Sequence, residues 1–168
     1  MKIVEIGPGT APIEWQGESA QYVGIDPEYK TKQIIDTAAE VLLKNVDISN
    51  FGLIPHRIEV VESPAKPDAV YMRNVLFGNK YPSHNFKLAK NAVRIAKGCP
   101  IFILESRDMH HKSLVRVREE LAASQKIDSR ILFPRDLGFR AIWNQVSESR
   151  SYTKNSRILF IPPQFSVA

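Results

Sequence analysis

Two glycines and two carboxylates stand where they could bind a nucleoside. Gly7 and Gly9 flank Pro8 directly after an apolar, strand-like run. Glu5 precedes this turn, and Asp26 ends the next apolar run. A glycine turn at a strand end lets the backbone approach a ligand, and a carboxylate at the end of the following strand can accept hydrogen bonds from both ribose hydroxyls. The pattern predicts a nucleoside-containing ligand; two structural turns without a ligand are the alternative interpretation.

The residue that stands at the third position of this glycine pattern bears on which nucleoside is bound. A dinucleotide site of the form Gly-x-Gly-x-x-Gly uses its third glycine to pack the following helix closely against the strand. Pro12 occupies that position here. A nicotinamide-dependent oxidoreductase is therefore disfavoured, although it remains an alternative. Pro12 suits the first turn of a helix and Gly17 would end it early, so we predict a very short helix after the first strand.

Strand-like and helix-like segments alternate along the chain, which is typical of a parallel sheet with crossover helices. Strands are predicted at residues 2–6, 21–25, 57–62, 68–73, 101–104, 139–145 and 157–161. Helices are predicted at residues 31–44, 86–97 and 113–124. The last two strands would pair around a loop at 147–155. We predict a single domain over residues 1–168 with an α/β fold, a Rossmann-like three-layer sandwich whose mostly parallel sheet ends in an antiparallel hairpin of strands six and seven.

The composition fits one ordinary globular domain. The chain has 168 residues, of which 43% are hydrophobic and 24% are charged. Its single cysteine, Cys99, excludes an internal disulfide, fits a reducing compartment and is expected to be buried. No apolar run approaches the ~18 residues of a membrane span. We therefore expect a cytoplasmic protein that does not enter a membrane, and its net charge of +5 is compatible with an acidic partner.

The sequence from Val4 to Ala11, Val-Glu-Ile-Gly-Pro-Gly-Thr-Ala, resembles the first motif of class I S-adenosylmethionine-dependent methyltransferases. Glu5 takes the acidic position of that motif. The sequence Val-Gly-Ile-Asp that ends at Asp26 resembles their second motif, and Pro-Asp-Ala-Val from Pro67 resembles the motif on their fourth strand. The resemblance covers almost the whole chain and implies S-adenosylmethionine as the cofactor.

The resemblance also implies a role for particular residues. The backbone of Gly7–Gly9 would lie against the methionine moiety and the ribose. Asp26 would bind the ribose hydroxyls, with Pro27 beside the adenine. Glu62, predicted at the end of the third strand, would contact the adenine amine, whereas an exposed loop acid is the alternative interpretation. Asn74, just after the fourth strand, would face the sulfonium and the methyl acceptor.

Asn74-Val75-Leu76-Phe77 leaves the acceptor atom open. Family members that methylate an amine place Asn or Asp, two prolines and an aromatic residue here, and the amide oxygen accepts a hydrogen bond from the target amine. This chain has the first and last of these residues without the prolines. Members that methylate oxygen or carbon commonly have Asn-Val-Leu followed by an aromatic residue or histidine.

His110 and His111 follow the fifth strand, where residues that contact the acceptor can project. A histidine titrates near neutral pH, so either could act as a general base. A solvated loop pair is the alternative interpretation. The histidines and acids lack the spacing of a metal site, so we predict no metal.

The first predicted strand begins at residue 2, without preceding helices to cover the acceptor site. We therefore expect a site that is covered by loops, left open, or completed by a protein partner or a second copy of the chain. An open site beside basic residues would suit RNA as the acceptor; a small molecule remains an alternative. A cofactor-binding but catalytically silent subunit is a further alternative. The basic residues are Lys80, Lys87, Lys90, Arg107, Lys112, Arg150 and Lys154.

Overall fold

A computed structural model describes residues 1–15, 17–62, 65–78, 81–133 and 156–164 of the chain. The strands are β1 (Lys2–Ile6), β2 (Ala20–Ile25), β3 (Ile48–Ile54), β4 (Ala69–Arg73), β5 (Ile101–Glu105), β6 (Arg130–Leu132) and β7 (Arg157–Ile161). The helices are α1 (Lys32–Lys44), α2 (Pro82–Ala96) and α3 (His111–Gln125). Short 3-10 turns lie at Pro27–Lys30, Ile58–Val60 and Asp108–His110.

The strands form one sheet in the order β3-β2-β1-β4-β5-β7-β6. Strands β1 to β5 pair in parallel, and β7 runs antiparallel to both β5 and β6. The order reverses direction between β1 and β4. In an open parallel sheet, loops diverge at such a switch point and leave a crevice at the carboxyl ends of the strands, where ligands bind.

Helices cover both faces of the sheet. Side chains alternate between the two faces of a strand, so Val4 and Ile6 of β1 pack with α2 and α3, whereas Ile3 packs on the face that Leu42 of α1 covers. The central strand β5 is buried along its whole length. These three layers and the antiparallel end of the sheet confirm the predicted Rossmann-like fold class.

The third strand was predicted in the wrong place. Strand β3 is Ile48–Ile54, and the predicted strand at residues 57–62 contains the 3-10 turn Ile58–Val60 instead. Arg94 of α2 stabilises this turn, since its guanidinium donates to the carbonyl oxygens of Ile58 at 2.7 Å and Val61 at 2.9 Å. Glu62 therefore does not end a strand.

The antiparallel partner of β7 also differs from the prediction. Strand β7 is confirmed as Arg157–Ile161, but it pairs with Arg130–Leu132 on one edge and with β5 on the other. The predicted partner, residues 139–145, and the predicted loop, residues 147–155, lie outside the described residues.

The predicted short helix after β1 is also absent from residues 10–15 and 17–19, which are described. Ile13 and Trp15 pack against the sheet there, each with 1% of its surface exposed. The Trp15 indole donates to the carbonyl oxygen of Glu18 at 2.8 Å. Two buried side chains therefore cover β1 in place of a helix.

Two smaller expectations can be compared with the structure. Cys99 is buried, as predicted, and burial raises the pKa of its thiol to about 11. Within the described part of the chain, no helix is both long and apolar enough to cross a bilayer.

Candidate cofactor and acceptor site

The glycine turn after β1 depends on the absence of side chains. Gly7 and Gly9 have φ values of 71° and 53°, which favour glycine. The Gly7 amide donates to the carbonyl oxygen of Ile25 at 2.9 Å, which ties the turn to the end of β2. A Cβ on Gly7 would lie 2.6 Å from Cγ1 of Val75, in the segment after β4. Gly7 thus lets the loops after β1 and β4 pack together at the switch point. Pro8 is buried within the turn.

Asp26 joins this turn to the segment after β2. Its Oδ2 accepts a hydrogen bond from the Gly9 amide, and its Oδ1 accepts one from the Glu28 amide, both at 2.9 Å. The side chain is buried, with 6% of the residue exposed. Each carboxylate oxygen can accept two hydrogen bonds, so each keeps one acceptor position beyond its protein partner. Pro27, the next residue, is exposed.

Tyr29 fixes the turn from the other side, and the sequence alone gave no signal for it. Its side chain is buried, and its hydroxyl donates to the Gly9 carbonyl oxygen at 3.0 Å. Burial, followed by the charges of Glu5 and Asp26, raises the pKa of Tyr29. The hydroxyl therefore stays protonated and remains a donor. Together, Asp26 and Tyr29 bind both the amide and the carbonyl of Gly9.

Glu5 is buried beneath the turn and is bonded to protein on both oxygens. Its Oε2 accepts from the Ile13 amide at 2.8 Å and the Tyr22 hydroxyl at 2.7 Å, and its Oε1 accepts from Arg73 Nε at 2.8 Å. Arg73 also donates to the Ala11 carbonyl oxygen. Burial and the adjacent Glu5 raise the pKa of Tyr22. We call Glu5, Tyr22 and Arg73 the inner cluster; it connects β1, β2 and β4 and holds residues 11–13 in place.

Asn74 begins the segment after β4, with a positive φ of 53°. Its Oδ1 accepts from the amide and the hydroxyl of Ser106, both at 2.8 Å. Because the Ser106 amide can only donate, the oxygen of the Asn74 side chain must face it. Both acceptor positions of this oxygen are thus occupied by protein. This geometry does not favour the acceptance of a hydrogen bond from a target amine.

A third buried carboxylate, after Asp26 and Glu5, lies at the end of β5. Glu105 is 0% exposed and accepts hydrogen bonds from Arg107, from Nε at 2.7 Å to Oε1 and from Nη2 at 2.9 Å to Oε2. The hydrogen bond to Glu105 raises the pKa of Arg107. Arg107 also donates to the carbonyl oxygens of Asn74 and Leu76. Nδ1 of His110 lies 2.8 Å from the same Leu76 oxygen and 3.7 Å from Glu105 Oε2. We call Glu105, Arg107 and His110 the outer cluster.

His111 is the first residue of α3 and differs from its neighbour. Its Nδ1 lies 3.9 Å from Oδ1 of Asp108, and its Nε2 is buried without a hydrogen-bond partner. The structure thus places one histidine of the predicted pair in the outer cluster and the other in the first turn of α3. Within the described residues, no group of three or more His, Cys, Asp or Glu side chains could hold a metal ion.

Phe77 is exposed next to the outer cluster, and its backbone is held in place. The buried Asn85 side chain accepts from the Phe77 amide at 2.8 Å and donates to its carbonyl oxygen at 2.7 Å. The ring, in a residue with 49% exposure, makes edge-on contacts with Tyr81 at 5.9 Å and with His84 at 4.6 Å between centroids. A fixed aromatic surface therefore borders the crevice.

The remaining predicted residues are dispersed. Glu62 is exposed beyond the Ile58–Val60 turn. Lys87, Lys90 and Lys112 are exposed on helices, whereas the Arg107 guanidinium is engaged in the outer cluster. Lys80, Arg150 and Lys154 lie outside the described residues.

Neither family models nor curated protein sequences give a match to this chain. Solved structures do resemble it. The 16S rRNA (adenine(1408)-N(1))-methyltransferase from Catenulisporales acidiphilia superimposes with a TM-score of 0.62 and 16% identity, covering 98% of this chain and 88% of that one. The magnesium protoporphyrin IX methyltransferase from Synechocystis, solved with bound S-adenosylmethionine, gives a TM-score of 0.60 at 12% identity, over 96% of this chain and 69% of that one.

A plantazolicin methyltransferase in complex with S-adenosylhomocysteine gives a TM-score of 0.57 at 13% identity, over 98% of this chain and 76% of that one. At identities this low, the superpositions establish a common architecture alone. The strand order and the antiparallel end of the sheet agree with it. This chain therefore has the fold of the class I S-adenosylmethionine-dependent methyltransferases.

Proposed function

We propose that this protein binds S-adenosylmethionine at the carboxyl ends of β1 and β2 and transfers its methyl group to an acceptor. One observation carries the proposal: the Gly9 amide donates a hydrogen bond to the Asp26 carboxylate at the carboxyl ends of β1 and β2, beside the switch point of the sheet. A turn with two glycines therefore lies directly beside a carboxylate that can still accept ligand hydroxyls.

The residues present fit this cofactor. Asp26 would accept hydrogen bonds from the ribose hydroxyls, the Gly7–Gly9 backbone would contact the ribose and the methionine moiety, and the exposed Pro27 would lie beside the adenine. The cofactor supplies a methyl group that its sulfonium already activates. The protein mainly has to align the acceptor with that methyl group and exclude competing nucleophiles.

A dinucleotide fits less well. In nicotinamide-dependent enzymes of related topology, the pyrophosphate lies at the N-terminus of the helix that follows the glycine turn. Residues 10–15 form no helix, and Ile13 and Trp15 occupy that position as buried side chains. The chain thus lacks the phosphate site that a nicotinamide-dependent oxidoreductase would need.

For the acceptor, we propose RNA. The exposed rings of Phe77 and Tyr81 offer stacking surfaces for bases. Helix α2, which begins beside them, exposes Lys87 and Lys90 and contains no acidic residue. Lysines of this kind contact phosphates without reading sequence. The similar rRNA methyltransferase acts on RNA, whereas the similar protoporphyrin methyltransferase acts on a small molecule, so the fold permits both classes.

The cofactor proposal is tested by thermal unfolding with S-adenosylhomocysteine, S-adenosylmethionine and NAD. A ligand present at 100 times its dissociation constant adds about 2.7 kcal/mol of stability. We expect stabilisation by the first two ligands and none by NAD. Stabilisation by NAD alone would overturn the proposal. Binding of S-adenosylhomocysteine without methyl transfer to any component of a cell extract would identify a catalytically silent subunit.

The RNA proposal is tested by filter binding of total cellular RNA at ~50 and ~200 mM salt, an interval over which phosphate contacts lose orders of magnitude in affinity. A double variant, Lys87→Ala with Lys90→Ala, should weaken binding and reduce the salt dependence. Lys44→Ala, on α1 at the other face of the sheet, is the matched control. Absence of binding at the lower salt would overturn the RNA proposal and leave a small-molecule acceptor.

A further inference from the structure

We propose that Nε2 of His110 removes the proton from the methyl acceptor, so that the acceptor is an O–H or N–H group rather than a thioether or a tertiary amine. This inference rests on the proposed methyl transfer. It is carried by the tautomer of this one ring and by the accessibility of its free nitrogen.

The tautomer of His110 is set by a carbonyl group. Nδ1 lies 2.8 Å from the Leu76 carbonyl oxygen, and that oxygen can only accept a hydrogen bond. Nδ1 must therefore carry the hydrogen, and in the neutral ring Nε2 holds the free electron pair. A second donor, Arg107 Nη2, lies 3.1 Å from the same oxygen and helps to keep it in place.

The free nitrogen of His110 can be reached from outside. Nε2 makes no hydrogen bond to a described residue and is not enclosed, and the side chain is 12% exposed. Gly78 lies in front of it: a Cβ on Gly78 would be 4.0 Å from Nε2. The missing side chain at Gly78 leaves room for an acceptor atom beside the nitrogen.

Charged side chains face the ring. Oε2 of the buried Glu105 lies 3.7 Å from Nδ1 of His110. Arg107 donates a hydrogen bond to the same carboxylate. Asp108 lies just before α3, and His111 is the first residue of that helix. Oδ1 of Asp108 lies 3.9 Å from Nδ1 of His111. His84 borders Phe77 on the α2 side.

In His111 the Nε2 atom is buried, so the nitrogen that corresponds to the free one of His110 is not accessible. Asn74 offers no alternative proton acceptor, since both acceptor positions of its Oδ1 accept hydrogen bonds from Ser106. Of the three residues that the sequence suggested for catalysis, His110 is the one whose Nε2 lies beside the space left by Gly78.

The proposed step needs no reactant other than the acceptor and S-adenosylmethionine. The acceptor O–H or N–H bond breaks, its proton moves to His110 Nε2, and the acceptor atom forms a bond to the methyl carbon. The carbon–sulfur bond of the sulfonium breaks, and its electron pair remains on sulfur as S-adenosylhomocysteine. The imidazolium then releases its proton to solvent. General-base assistance of this kind contributes roughly 10²- to 10⁴-fold to the rate.

The variant His110→Asn removes the base but keeps the hydrogen bond that orients this side chain. The Asn amide can still donate to the Leu76 carbonyl oxygen, but it has no basic nitrogen at the Nε2 position. His111→Asn is the matched control. Gly78→Val is a second test of the base, since it leaves His110 unchanged and places methyl groups in front of Nε2. Cofactor binding by all variants is measured by calorimetry with S-adenosylhomocysteine and should equal that of the wild type.

Two measurements need no acceptor. Long-range ¹H–¹⁵N spectra of histidine-labelled protein at mildly alkaline pH should show His110 with hydrogen on Nδ1. Diethyl pyrocarbonate, which acylates a free imidazole nitrogen, should modify His110 in the wild type, as mapped by mass spectrometry. Gly78→Val should reduce modification of His110 at least several-fold. A hydrogen on Nε2, or an unreactive His110, would overturn the proposal.

Catalysis is then measured as transfer of tritiated methyl from S-adenosylmethionine to extracted cellular RNA and small molecules. We expect His110→Asn to lower kcat at least 100-fold and His111→Asn to stay within a few-fold of the wild type. Wild-type rates in His110→Asn would contradict the base assignment. Failure of the wild type to bind S-adenosylhomocysteine would instead refute the proposed function, so the two failures are distinct.

Discussion

The inner and outer clusters have similar charged residues but differ in their exposure to solvent. Each places a buried carboxylate near the end of a strand and pairs it with an arginine, at 2.8 Å for Glu5 and Arg73 and at 2.7 Å for Glu105 and Arg107. The Arg73 side chain is 11% exposed, whereas that of Arg107 is 42% exposed. The inner pair is therefore less exposed to solvent than the outer pair.

The two clusters also differ in what they hold. The inner cluster bonds backbone groups at Ala11 and Ile13 and so fixes the chain beneath the glycine turn. The outer cluster orients a histidine whose second nitrogen is accessible. The comparison indicates that the first ion pair stabilises the cofactor loop, whereas the second keeps a reactive group in place at an open edge.

Glu5→Ala should have the largest effect on stability. It removes the Glu5 carboxylate that accepts from Arg73, from the Ile13 amide and from the Tyr22 hydroxyl, and such loss of one partner from a buried pair costs about 3–5 kcal/mol. Urea unfolding measures the change. Glu40→Ala, which breaks the exposed pair with Lys44, is the control and should leave the midpoint unchanged. Equal midpoints for both variants would contradict a structural role for the inner cluster.

Gly7→Ala should destabilise the protein by about 2–4 kcal/mol, because the left-handed conformation and overpacking against Val75 both oppose a Cβ. Gly78→Ala, beside the outer cluster, is the comparison. Gly78 does not have a positive φ, and its Cβ would make an ordinary contact at 4.0 Å. Thermal unfolding of both variants measures the difference. A Gly78→Ala variant as unstable as Gly7→Ala would show that the outer edge is packed as tightly as the inner one.

Glu105→Ala should cost less than Glu5→Ala, about 1–3 kcal/mol, because Arg107 can turn toward water when its partner is lost. The same urea series provides the value. If removal of Glu105 destabilised the protein more than removal of Glu5, the exposure of the two ion pairs would not explain their contributions to stability.

Tyr29→Phe should have the smallest effect, about 0.5–1.5 kcal/mol, since it removes one hydrogen bond to the Gly9 carbonyl oxygen and leaves the buried ring in place. A modest loss of affinity for S-adenosylhomocysteine should accompany it. Tyr81→Phe, whose hydroxyl belongs to an exposed residue, is the control. Identical stability of both variants would mean that this bond does not support the turn.

The parts of the fold that were predicted correctly carry strong local patterns. The bounds of β1 and β7 match the prediction, and β5 reads as a continuous apolar run because it is covered on both faces. Strand β3 was missed because it lies at the edge of the sheet, where Ser49 and Asn50 are exposed and leave no apolar pattern. The edge strand β6 was missed because it is only three residues long.

The site was predictable only in part. The proximity of Gly9 and Asp26 followed from strand ends and motif spacing. The partners of Glu5 did not, because Tyr22 and Arg73 reach it only once β2 and β4 flank β1 in the sheet. The choice between His110 and His111 depends on which ring nitrogen is enclosed, and sequence spacing does not contain that information.

The most direct test of the central claim is calorimetric titration of the wild type and Asp26→Ala with S-adenosylhomocysteine. The wild type should bind, and the variant should remain folded by circular dichroism. Loss of charge-assisted hydrogen bonds to the ribose costs about 1.5–3 kcal/mol, so the dissociation constant should rise at least tenfold. An unchanged dissociation constant, or a wild type that does not bind, would contradict the assignment of this glycine turn and carboxylate as the cofactor site.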